Sequence, residues 1–231
     1  MAIKVVFFDA AGTLIKPVRK VGESYAVTAA KYGVQVAPAE LNGRFQVTFG
    51  RAAPLAFPNA DHSTIDQLER DWWKTLVRQV FEPWEPFERF DDFFDDLFDY
   101  FSQPQAWTLF PEVLETLSAL KRRGMTLAVI SNFDSRLIKI LHGLDTTEWF
   151  EEIYVSSRVG YAKPDRRIFE LALRNHGLNA ENAAHVGDSE ENDWRGANAA
   201  GLKGLLVDRS QNPSRAEGRI SDLQQILEHL D

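Results

Sequence analysis

The sequence predicts an α/β fold, a parallel sheet packed between helices, interrupted after its first strand by an all-helical insert. Three observations predict it. Ile3-Lys4-Val5-Val6-Phe7-Phe8 is a short apolar run that stops at Asp9 and a small-residue turn, Ala10-Ala11-Gly12-Thr13, as expected of a strand covered on both faces. From about residue 17 to about 104 the apolar residues recur at helical spacing between prolines. Beyond Pro104 strand-like runs alternate with helical ones, the pattern of βαβ units and a parallel sheet.

The elements follow in order. Lys16-Pro17-Val18 reads as a break, and a helix from about Glu23 carries Tyr25, Ala29 and Tyr32 up to a stop at Gly33. Pro38, Pro54 and Pro58 punctuate the next stretch. Ser63 is expected to open a second helix, with Asp66 three residues on and Ile65, Leu68, Trp72, Leu76 and Val80 on one face, ending at Pro83 and Pro86. In the run from Phe87 to Phe101, Phe90, Phe93, Phe94, Leu97 and Phe101 form an apolar stripe, and the doubled aspartates fall mainly on other faces. That is a solvated helix rather than a metal-binding segment.

A helix then runs from about Val113 to Gly124, a strand over Met125–Ser131, and a helix over about Ser135–Leu141. A short strand is expected at Glu152–Val155, a helix from Arg166 to His176, a strand at Ala183–Gly187, and a helix from Trp194 to Ala200. The last strand is Gly204–Val207, and Ser221–Leu230 reads as helical. The organisation is a core of residues 1–16 and 105–231 with a helical cap of residues 17–104.

Composition narrows the function classes. The 231 residues suffice for a sizeable core, and 26 Lys plus Arg against 34 Asp plus Glu leave a net charge of −8. With no basic cluster of interleaved aromatics, a nucleic-acid partner is not expected. The absence of cysteine excludes disulfides, thiolate metal sites and cysteine nucleophiles, and fits a cytoplasmic protein. No stretch approaches roughly 18 uncharged apolar residues and the first residues lack a signal-peptide pattern, so neither membrane spanning nor secretion is expected. A monomer or homodimer acting on a small molecule is the expectation.

Four strand ends carry the polar residues that phosphoryl chemistry uses. They are Asp9 and Thr13; Ser131-Asn132; Gly160-Tyr161-Ala162-Lys163-Pro164-Asp165; and Gly187-Asp188-Ser189-Glu190-Glu191-Asn192-Asp193. Each alone has an ordinary structural reading as a turn or helix cap. Their joint order, each after a buried strand, places them at the carboxyl edge of a parallel sheet, where ligands bind.

With these motifs, Phe-Phe-Asp-Ala-Ala-Gly-Thr-Leu, Val-Ile-Ser-Asn, Tyr-Ala-Lys-Pro-Asp and Val-Gly-Asp-Ser-Glu-Glu-Asn-Asp, the chain resembles the haloacid dehalogenase superfamily of hydrolases, in the branch with a helical cap after the first strand. The resemblance spans essentially the whole chain. It implies a Rossmann-like, three-layer α/β/α core and a phosphohydrolase of small phosphorylated metabolites. It also implies Asp9 as the nucleophile that forms an aspartyl intermediate and Lys163 as the cation that neutralises Asp9 and the phosphoryl oxygens. Thr13, Ser131, Asn132 and Lys163 would bind substrate. Mg²⁺ would be held by Asp9, the Ala11 carbonyl and Asp188, with Asp193 completing the metal site by orienting its water shell and Lys163.

One position departs from the resembling phosphatases, which carry a second Asp two residues after the nucleophile as general acid and base. Here that residue is Ala11. Three readings follow. The chain is a phosphohydrolase whose substrate has a good leaving group, or whose acid comes from elsewhere, for instance Asp134 or Glu190. Alternatively it is a 2-haloacid dehalogenase, which needs no such acid; the resembling dehalogenases, however, have an aromatic residue at that place and work without metal. As a third reading it is a weakly active or inactive scaffold that binds through its cap. Trp72, Trp73, Trp84 and Phe87 in the cap are candidate substrate contacts, though more often packing residues.

Overall fold

The computed structural model describes residues 2–210 and 217–230. Among them lie the strands β1 (Val5–Phe8), β2 (Ile15–Pro17), β3 (Trp107–Leu109), β4 (Thr126–Ser131), β5 (Ile153–Val155), β6 (Ala183–Gly187), β7 (Lys203–Val207) and β8 (Arg219–Ile220). The main sheet has the order β5-β4-β1-β6-β7-β8, and all its pairings are parallel. The chain runs outward from β1 through β4 to β5 and then returns to β6 on the other side of β1. The order therefore reverses between β1 and β6, and a crevice opens beyond the strand ends at such a switch point.

The helices are α1 (Val21–Ala30), α2 (Pro38–Arg51), α3 (Ile65–Phe81), α4 (Phe90–Ser102), α5 (Val113–Arg122), α6 (Arg136–Gly143), α7 (Ser156–Val159), α8 (Arg166–Asn175), α9 (Gly196–Ala199) and α10 (Ile226–His229). All four residues of β1 are fully buried because alternate side chains enter different layers. Val6 and Phe8 join an apolar cluster with Leu117 and Leu120 of α5 and Leu137 and Ile140 of α6. Val5 and Phe7 join another with Ile168 and Phe169 of α8 and Ala197 of α9. Helices on both faces of a parallel sheet give the three-layer core.

Between β2 and β3 the helices α1–α4 pack around an apolar cluster of their own, which includes Tyr25, Leu41, Val77, Phe81, Phe87, Phe93 and Leu97. The acidic face of α4 is exposed, and Phe90, Phe93, Phe94 and Leu97 are buried.

The structure corrects several expectations. The break expected at Lys16-Pro17-Val18 is strand β2, paired antiparallel with β3 through Ile15↔Leu109 and Pro17↔Trp107. Pro38 opens α2 at its first turn, where a missing N–H is harmless. Asp61, not Ser63, caps the helical segment that becomes α3: its side chain accepts from the Ser63 N–H at 2.8 Å. Residues 221–230 are mostly a short 3₁₀ turn and the four-residue α10, preceded by a further strand, β8. The segment expected to be a helix from Trp194 begins earlier, as a π-helical turn over Glu190–Arg195.

Candidate active site

Asp9 leaves β1 at the switch point and stays buried, with its N–H bonded to the Val186 carbonyl of β6 at 2.8 Å. The turn after it folds back on itself: the N–H groups of Leu14 and Ile15 both reach the Ala10 carbonyl, at 2.8 and 2.9 Å. Gly12 has a φ of +98°, and a Cβ there would stand 2.2 Å from Asp188 Oδ2. Glycine at this position serves both a backbone conformation and the close approach of Asp188. Gly187 plays the matching part at the end of β6, since its Cβ would lie 2.1 Å from the Asp193 carboxyl carbon.

Asp9 Oδ1 accepts from the Ser131 hydroxyl at 3.2 Å and from Lys163 Nζ at 2.8 Å. Lys163 also donates to Asp193 Oδ1 at 2.6 Å and to the Ile130 carbonyl at 2.7 Å. Its three ammonium donors are thereby all used. Asn132 clasps the lysine's own backbone, giving its Nδ2 to the Lys163 carbonyl and taking the Lys163 N–H on Oδ1, both at 2.7 Å. One Nδ2 hydrogen of Asn132 remains for a ligand, so positioning Lys163 is its first task here.

The π-helical turn sets Asp193 in place. The Trp194 N–H reaches back five residues to the Ser189 carbonyl at 3.1 Å, and Asp193 Oδ2 accepts from the Ser189 N–H at 2.9 Å. Asp193 Oδ1, besides Lys163, meets His185 Nε2 at 2.9 Å. Both oxygens of Asp193 are committed to protein donors, which suits a residue that orients Lys163 better than a direct metal ligand. Asp188 stands at the rim. One oxygen from each of Asp9, Asp188 and Asp193 lies within 4.8 Å of the others.

The protonation states follow from this crowding. Burial lifts the Asp9 carboxyl above its usual range, and Lys163 offsets part of that rise. Burial works against the Lys163 ammonium, but Asp193 and Asp9 outweigh it and hold the lysine charged. Burial would raise Asp193 too, yet Lys163 and His185 keep it below the ordinary range. Burial keeps His185 neutral despite its contact with Asp193. Asp188 has part of its side chain open to solvent, but loss of water around the carboxylate, added to the charges of Asp9 and Asp193, pushes it up to about 7. Three carboxylates thus share one lysine, and the excess negative charge with hard oxygen donors fits a divalent cation such as Mg²⁺.

The other site residues of the sequence reading are placed less simply. Ala11 is partly buried against the cluster that holds Phe8 and Leu14. Thr13 is fully buried, and its hydroxyl has no partner among the described residues. The two proposed substitute acids are occupied elsewhere. Asp134 accepts from Trp73 Nε1 at 2.6 Å, from Arg136 Nε at 2.8 Å and from Arg136 Nη2 at 2.7 Å. Glu190 pairs with Arg219 and Arg195, each at 2.8 Å, and those hydrogen bonds hold its carboxyl below the usual range. Of the aromatics in the helical insert, Phe87 is buried and Trp73 is tied to Asp134.

His185 was absent from the sequence reading. The signal for it is a single polar residue in the apolar run Ala183-Ala184-His185-Val186. A buried seam between α3 and the core was also missed. Glu69 Oε1 accepts from the Ser135 hydroxyl and the Ser157 hydroxyl, each at 2.6 Å, and from the Ser135 N–H at 3.1 Å.

The family model described as haloacid dehalogenase-like hydrolase matches residues 3–201. The human haloacid dehalogenase-like hydrolase domain-containing protein 3 is 35% identical over 209 residues, 90% of this chain and 82% of that protein. A phosphoserine phosphatase of Thermus thermophilus is 35% identical over 134 residues, 55% of this chain and 53% of that one. Among solved structures, a dehalogenase superposes with a TM-score of 0.73 at 18% identity, over 99% of this chain and 97% of that chain. Fold, strand-end residues and family match agree: the chain is a hydrolase and belongs to the haloacid dehalogenase-like hydrolase family.

Proposed function

We propose that this chain is a Mg²⁺-dependent phosphohydrolase acting on a small phosphorylated metabolite whose leaving group needs no protonation, such as an acyl phosphate or a phosphoanhydride. The observation that carries this reading is the unfilled acid position. Ala11 offers a methyl group, and the two carboxylates considered as its replacement, Asp134 and Glu190, are bound to arginines. General acid catalysis contributes about 10²–10⁴-fold for leaving groups that need it, so a leaving group that departs as a stable anion is the one this site handles best.

In this reading a carboxylate oxygen of Asp9 attacks phosphorus, the bond to the leaving group breaks, and that group departs as its anion. Water then attacks the aspartyl phosphate, the Asp9–phosphorus bond breaks, and inorganic phosphate leaves as Asp9 regains its carboxylate. Lys163 and Ser131 bind Asp9 Oδ1 and face the transferred group, which the second Nδ2 hydrogen of Asn132 also reaches. Asp9, Asp188 and the Ala11 carbonyl would hold Mg²⁺, which supplies charge neutralisation for the phosphoryl oxygens. Asp193, braced by His185 and Ser189, keeps Lys163 aimed at Asp9. Residues 17–104 serve as a cap that excludes water from the site, on a core of residues 1–16 and 105–231, and the protein works in the cytoplasm.

The test is a panel of acyl phosphates, alkyl phosphates and 2-haloacids assayed with Mg²⁺ and with chelator. The expected result is phosphate release from acyl phosphates, faster than from alkyl esters and abolished by chelator. Halide release that survives chelation would overturn it in favour of dehalogenation, and no turnover of any member would favour a binding scaffold.

A further inference from the structure

The turn that carries Asp9 is held from inside by its own backbone, but its outer carbonyls need another partner. Arg209, two residues beyond β7, supplies it. Its Nη2 donates to the Thr13 carbonyl at 2.9 Å and its Nε approaches the Gly12 carbonyl at 3.4 Å. Its Nη1 lies 2.6 Å from Glu112 Oε1, and the guanidinium carbon sits 3.6 Å from the centre of the Phe110 ring. The Phe110 N–H is itself bonded to the Leu14 carbonyl at 3.1 Å. One planar cation thus joins three segments: the nucleophile turn, the stretch after β3 and the stretch after β7. Gly12, Asp188 and Arg209 also line one surface depression beside the site.

Geometry makes this more than a surface contact. The Ala11 carbonyl belongs to the peptide that joins Ala11 to Gly12, and Gly12 is the left-handed residue of the turn. The 11–12 peptide is anchored on its N–H side, where Gly12 donates to the Ile15 carbonyl at 2.8 Å. Arg209 holds the next two carbonyls, those of residues 12 and 13, so the far side of a permissive glycine is held as well. Arginine suits the task because its rigid fork addresses two carbonyls and a carboxylate while its face stacks on Phe110; a lysine offers a point charge instead.

We infer that Arg209 is a positioning residue for the metal-facing side of the nucleophile turn, holding the Ala11 carbonyl and Asp9 in the arrangement that receives the divalent cation. The inference rests on the assignment of Asp9 and Ala11 in the proposed function. It assigns Arg209 no contact with substrate. Glu112 acts through Arg209 and supports it.

The experiment is isothermal titration of the full chain with MgCl₂, alongside thermal unfolding in chelator and steady-state kinetics on an acyl phosphate. Arg209→Met keeps an unbranched apolar side chain at the position and removes every donor. The expected result is Mg²⁺ affinity weaker by about 10–100-fold, the range seen when partners that orient metal ligands are removed. The turnover number should fall in parallel at subsaturating Mg²⁺, with KM for substrate within about twofold of wild type. Arg209→Lys should recover only part of the affinity, and Glu112→Gln should weaken it less than Arg209→Met does. Mg²⁺ binding by Arg209→Met equal to wild type, with only a lowered unfolding temperature, would overturn the inference and leave the proposed function intact. A wild-type protein that binds no Mg²⁺ would instead overturn the proposed function, and this inference with it.

Discussion

Asp9 and Asp134 are both buried carboxylates, just past the ends of the neighbouring strands β1 and β4, and each lies beside a cation, buried Lys163 and half-buried Arg136. Asp134 meets one arginine for its single charge and takes four hydrogen bonds across its two oxygens, from Trp73, the Arg136 guanidinium and the Arg136 N–H. Asp9 takes two hydrogen bonds, both on Oδ1, shares Lys163 with Asp193, and has Asp188 close by. Burial of a carboxylate therefore says little by itself. What separates a structural acid from a reactive one is the balance of donors and charges around it, since a satisfied network rigidifies and an unsatisfied one has capacity left for a ligand.

Substitutions at the two places should have effects of different kinds. The largest is expected from Asp9→Asn, which should lower phosphate release by on the order of 10⁴-fold or more, the scale of a lost nucleophile, in a protein that unfolds at the wild-type urea concentration. Full turnover by that variant would remove Asp9 from its role. Asp134→Ala, by contrast, strands the Arg136 guanidinium, whose side chain is 12% exposed, and the Trp73 N–H. Breaking such a buried pair costs about 3–5 kcal/mol, to be measured by equilibrium urea unfolding; a loss below about 1 kcal/mol would show that the seam re-forms its bonds without the carboxylate.

Ala11→Asp sharpens the contrast from the other side by adding a carboxylate where the reactive site lacks one. Turnover of alkyl phosphates should rise by about 10²-fold, the lower end of acid–base contributions, with acyl phosphates little changed. No gain in a folded variant would indicate a pocket shaped for different chemistry. The smallest effect belongs to Glu69→Gln. Its amide carbonyl can still accept from Ser135 and Ser157 but without charge assistance, so a stability loss of about 1–2 kcal/mol is expected from urea unfolding. A change in Mg²⁺ affinity in that variant would break the separation drawn between the two regions.

Much of the acidic cluster was legible in the sequence: Asp9, Ser131 and Asp188 stand at or just past the ends of apolar runs that read as buried strands, and a parallel sheet brings such ends together. Lys163, separated from β5 by α7, and Asp193, on the π-helical turn, were singled out by the motifs that carry the resemblance. The satisfied cluster was not legible. Asp134 has no visible partner in the sequence, because Trp73, which donates to it, lies sixty-one positions away. Arg209 belongs to no motif, and its contacts with the turn after Asp9 are to backbone carbonyls, which carry no residue identity. The elements missed were those whose pattern is too short to show a period: β2 and β3 have three residues each and β8 has two. Helix α2 was hidden for another reason, since Pro38 reads as an interruption when it is in fact the first residue of the helix.

The ribbon formed by β2 and β3 has a consequence for how this protein can be taken apart. The chain leaves the sheet-bearing core at Pro17 and re-enters it at Trp107, and those two residues are paired. Exit and return are therefore already brought together at hydrogen-bonding distance across antiparallel strands, the geometry that a tight hairpin closes. The helices between them are an excursion from a single doorway. A short turn spliced across that doorway, or a different set of helices grafted onto it, would leave the strand order of the sheet untouched, so that the helices can be exchanged without rewriting the part that carries Asp9.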